Sequence, residues 1–85
     1  MRAEDPDVTL TFPCDPRFVD ALCAAVLMAV TSVGGSEESG QTVARAVETF
    51  VAPDLAVPQA PPVVVEVTGT SARMSAGSRH LTVNL

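Results

Sequence analysis

Hydrophobic positions change period four times along this chain, and each change marks an element. Val8-Thr9-Leu10-Thr11-Phe12 alternates apolar and polar residues, the pattern of a half-buried strand. Asp15 followed by Pro16 predicts a helix start, with Asp as the cap and Pro at the first helical position. The helix is expected to run to about Val33, where Gly34-Gly35 stops it. From Leu22 to Val30 every residue of it is hydrophobic. Wound at about 100° per residue, its polar stripe is narrow. That stripe holds Arg17, Asp20 and Thr31, with Ala24 among them, and Leu27 and Met28 flank it. Ser36 predicts the cap of a second helix, with Glu37 and Glu38 in its first turn and Gly40 weakening that turn. Val43, Ala46, Val47, Phe50 and Val51 share one face of this helix, and Pro53 ends it.

Four prolines between Pro53 and Pro62 predict a semi-extended connector. Three strands are expected after it: Val63 to Val67, Ser71 to Ala76, and Arg79 to Leu85. Thr68-Gly69-Thr70 forms the first turn between them, and Gly77-Ser78 is a two-residue hairpin turn. Leu10, Val63, Val65, Val67, Ala72, Met74, Leu81, Val83 and Leu85 can all point one way, with Val8 and Phe12. Thr9, Thr11, Glu66, Arg73, Ser75, His80, Thr82 and Asn84 point the other way. One oily and one polar face predict an α+β fold, a two-layer α/β sandwich in the order β-α-α-β-β-β. Two helices would cover one face of a four-stranded sheet, antiparallel or mixed. The 85 residues make one small domain behind a loose lead-in over Met1 to Asp7.

Composition sharpens the picture. With no Trp, no Tyr and three Phe, the core is aliphatic. The net charge is −5, from ten acids against five Arg, and there is no Lys. Nucleic-acid binding depends on cations that neutralise phosphates, so a nucleic-acid partner is not expected. A basic protein surface suits the chain better. The apolar run of the first helix is shorter than the roughly 20 residues of a membrane span, and no signal-peptide pattern opens the sequence. The expected location is cytoplasmic, with no membrane partner.

Candidate chemistry is sparse. His80 is the only histidine and has only Glu66 and Arg73 as plausible neighbours, which makes no zinc site. Arg73, Arg79 and His80 lie in one hairpin and form the basic patch, either edge protection or a contact for an acidic partner. Cys23 reads as a small core residue and Cys14 as a turn residue. Neither has a base placed beside it by spacing. Gly34-Gly35-Ser36 lacks the Lys of a phosphate loop and reads as an interhelix turn.

Leu10-Thr11-Phe12-Pro13-Cys14-Asp15-Pro16 resembles the opening strand and helix start of the GHKL ATPase fold, in the branch of bacterial anti-sigma-factor kinases. Val43 to Phe50 is similar to the helix that carries the family's metal-linked Glu and, four residues on, its Asn. Glu48 matches the Glu; Ala52 stands where the Asn belongs. The family's later Asp-x-Gly-x-Gly adenine segment has no counterpart. The resemblance therefore implies a truncated relative without the nucleotide pocket, with no metal or cofactor and no nucleotide expected.

The expected function is a non-enzymatic interaction module of bacterial regulation. Its partner is expected to be a second copy, because a helix so apolar needs cover on most sides. Leu27, Met28, Ala24 and Thr31 are its expected seam. The alternative is a small-ligand domain, with a pocket between sheet and helices or at the dimer seam.

Overall fold

The computed structural model describes residues 7–85. The loose lead-in expected at the N-terminus lies outside these residues, apart from Asp7. Strand β1 (Val8–Phe12) leads through a 3₁₀ turn (Pro16–Phe18) into helix α1 (Val19–Ser32) and then helix α2 (Glu37–Val51). A second 3₁₀ turn (Ala52–Asp54) precedes β2 (Val63–Val67), β3 (Ser71–Ala76) and β4 (Arg79–Asn84). The four strands form one sheet in the order β1-β2-β3-β4, and every pairing is antiparallel.

The local signals act where the sequence places them. The Asp15 carboxylate accepts from the Arg17 N–H at 2.9 Å, which caps the first turn. Gly35 N–H bonds Val30 C=O at 2.9 Å and Gly34 N–H bonds Thr31 C=O at 3.2 Å. Together these make a Schellman ending, and Gly34 supplies its left-handed φ of 95°. Ser36 Oγ accepts from the Ser39 N–H at 3.0 Å and starts α2. In the β3–β4 turn only Gly77 is left-handed, at φ 62°, as a type II′ hairpin requires.

Antiparallel partners share a face of the sheet. Leu10 pairs with Val65, Val65 with Met74, and Met74 with Leu81. Val8 pairs with Val67, Val67 with Ala72, and Ala72 with Val83. This face packs on Leu22, Val26, Ala29 and Val30 of α1 and on Val43, Val47, Phe50 and Val51 of α2. Helix α1 lies over β1 and β2, and α2 lies over β3 and β4. The opposite face carries Thr9, Thr11, Arg73, His80 and Thr82 in the open.

The connector is more compact than its prolines suggest. Leu55 N–H bonds Ala52 C=O at 3.3 Å and Val57 N–H bonds Asp54 C=O at 3.0 Å, so consecutive turns replace an extended start. Proline's fixed φ suits an early 3₁₀ position as well as an extended one. Leu55 is thereby packed against the core.

Candidate interaction surface

Helix α1 buries Leu22, Val26, Ala29 and Val30 and half-buries Val19, Cys23, Ala25 and Leu27. Ala21, Ala24, Met28 and Thr31 stay exposed. Leu27 and Met28 were both expected beside the wet stripe, and the structure sends them to different places. Leu27 turns into the α1–α2 seam, where its Cδ1 occupies the space that a Cβ on Gly40 would need. Gly40 is thus the close-approach point of the two helices rather than only a weak spot in α2. Met28 stands 71% exposed, more than Leu81 at 42% or Val57 at 51%.

Met28 leans over a groove of about 330 Å³ between α1 and β1, lined by Val8, Leu10, Ala25, Met28, Ala29 and Ser32. Ser32, which lines the groove, and its neighbour Thr31 both turn their hydroxyls to the helix backbone. Thr31 Oγ1 donates to Met28 C=O at 2.9 Å or Leu27 C=O at 3.2 Å, and Ser32 Oγ donates to Ala29 C=O at 2.8 Å. Among the described residues strand β1 pairs only with β2, and none of them pairs with its other edge along Val8–Phe12. Ala24 lies exposed beside Met28 and adds no charge. An unpaired strand edge and an apolar groove thus form one continuous surface.

The expected basic patch is divided between the two faces of the sheet. Arg79 pairs with Ala76 and lies on the helix face. One of its guanidinium nitrogens donates to Phe50 C=O at 2.9 Å and to the Asp54 carboxylate, and the group stacks 4.6 Å from the Phe50 ring centroid. It closes the C-terminal end of α2, where a cation is favoured. His80 pairs with Ser75 and Arg73 with Thr82 on the open face, and both are exposed.

Neither cysteine is activated. Burial first, and the Asp54 charge second, push the Cys14 thiol above its ordinary value. Burial first, and the Glu48 charge second, push the Cys23 thiol up as well. A reactive thiol needs the opposite shift. Cys23 Sγ donates weakly to Ala44 C=O at 3.7 Å across the helix seam. Cys14 lines an outer cleft of about 540 Å³ with Thr11, Phe12, Leu55, Val57 and Pro62. Among the described residues Asp15 is the one charged residue lining that cleft, and Arg17 Nε and Nη2 already hold it at 3.1 and 2.8 Å.

Among the described residues no three His, Cys, Asp or Glu side chains gather into a metal-binding group. No described helix is long and apolar enough to cross a membrane. Next to the core, the gap bounded by Leu22, Val51, Leu55 and Val63 is too narrow for a water molecule. Glu48 and Ala52, the positions that carry the GHKL resemblance, are both exposed. The fold and surface define a small α+β sandwich with an apolar, open-edged side. Comparison with protein-family models, curated proteins and solved structures finds no match.

Proposed function

We propose that the chain is a non-enzymatic, cytoplasmic protein-interaction module of bacterial regulation, and that it works as a homodimer joined along its β1–α1 side. One observation carries the reading: Met28 stands 71% exposed above an apolar groove beside an unpaired strand edge. Covering a methionine of this size is worth about 1.5–3 kcal/mol. A domain this small has little stability to forgo by leaving it wet. The placement in bacterial regulation rests on the GHKL-like residues, and the same residues argue against nucleotide chemistry, since Ala52 offers no metal ligand.

The outer cleft supports a second reading, a small-ligand site, because about 540 Å³ lies in the range of such pockets. Its one lining charge is already bonded to Arg17, so the first reading stands ahead. Sedimentation of the wild type beside Met28→Glu separates the two. The module reading expects a wild-type dimer and a folded Met28→Glu monomer. A monomeric ligand domain that uses the outer cleft, which Met28 does not line, expects the same mass for both.

A further inference from the structure

We infer that two copies pair antiparallel along β1, about a twofold axis at Leu10, so that two four-stranded sheets become one of eight strands. The inference rests on the homodimer reading and names its geometry.

Between its flanking Asp7 and Pro13, strand β1 carries no guard of its own. It has no charge, no glycine and no proline within Val8–Phe12. Sheet edges normally carry such guards against pairing. The other edge, β4, opens with Arg79 and His80. The helix nearest each edge repeats the contrast. Helix α2, over β4, turns Glu38, Gln41, Arg45 and Glu48 to solvent. Helix α1, over β1, has no Asp, Glu, Arg or His from Ala21 through its end at Ser32. Two chains of net charge −5 repel one another across most orientations. Val8–Phe12 of β1 and Ala21–Ser32 of α1 give them an acid-free stretch on which to meet, with exposed Asp7 and Asp20 at its ends.

The pattern of β1 also suits its own copy. Val8, Leu10 and Phe12 face the helices, and Thr9 and Thr11 face the open side. Reversed about Leu10, the strand reads the same in polarity. Val8 then opposes the partner's Phe12, and Thr9 opposes the partner's Thr11. Both faces continue across the seam without a mismatch, as register demands. Other axes that keep the faces matched pair fewer of the five residues. The two apolar grooves meet on the helix side, and each Met28 is covered there. The contact line is about 17 Å of strand beneath about 21 Å of helix. That is near the small end of specific interfaces, so the dimer dissociates on dilution.

The test is register-specific cross-linking. Thr9→Cys and Thr11→Cys are made separately in a chain whose Cys14 and Cys23 are replaced by Ser and Ala. Both new thiols lie on the exposed face, and directly opposed cross-strand positions are within disulfide reach. Mild oxidation of the mixture is expected to give several-fold more covalent dimer than either variant alone. A second readout uses the unmodified chain: alternate amides of Val8–Phe12 exchange several-fold more slowly at high concentration than after dilution. A wild-type dimer without that cross-link preference and without concentration-dependent exchange overturns the β1 seam and leaves the homodimer standing. A wild-type monomer at every concentration overturns both.

Discussion

Asp15 is held below the ordinary carboxylate value by the Arg17 side chain, whose Nε and Nη2 donate to it, and by the Arg17 backbone N–H. A depressed folded pKa sets the sign of its effect. The cap stabilises the helix start above the ordinary value, and that contribution is lost as pH falls through the folded value. An NMR titration of the Asp15 carboxyl should give a midpoint below 3.8, and Arg17→Gln should move it back up. A wild-type midpoint at 3.8 or above contradicts the pairing. The cap itself was legible from the Asp-Pro pair. The fates of Leu27 and Met28 were not. They are one residue apart, so about 100° of helix rotation separates them. Which one turns inward depends on where α2 crosses, and that depends on the missing side chain at Gly40. A reading along one helix contains no such information.

At the scale of elements, the α1–α2 pair is fitted through Gly40. Gly40→Val places new atoms where Leu27 Cδ1 sits, with the Leu27 carbonyl close behind. Overpacking of this kind costs about 1–3 kcal/mol, read as a lowered urea midpoint. Adding Leu27→Ala should return part of the loss; equal stability of wild type and Gly40→Val contradicts the close approach. Strands, helix caps and the hairpin turn were all legible, because each has a short-range cause. Arg79 shows a signal that was present and passed over. It lies two residues before Leu81, so period-two parity already placed it on the helix face with Leu81 and Val83. Grouping residues by charge joined it to Arg73 and His80. The unpaired β1 edge was hidden for another reason: strand order is a long-range property that no single strand encodes.

For the whole molecule, two expectations remain to be measured. The exposed Glu48 has Ala52, not Asn, four residues on, so the metal ligand that the resemblance calls for is missing. Calorimetric titration with ATP and magnesium should therefore show no binding, and micromolar affinity would contradict the reading of Glu48 as a surface residue. The larger expectation concerns assembly. The core between sheet and helices is closed, with Val65, Val67 and Met74 fully buried. The outer side of α1 is apolar and open. A chain of 8.8 kDa that buries one face and leaves Met28 standing on the other is half of a unit in this account. Sedimentation equilibrium of the wild-type chain across the micromolar range decides it. A homodimer gives a mass that rises with concentration toward twice 8.8 kDa. A mass fixed at 8.8 kDa throughout that range contradicts it.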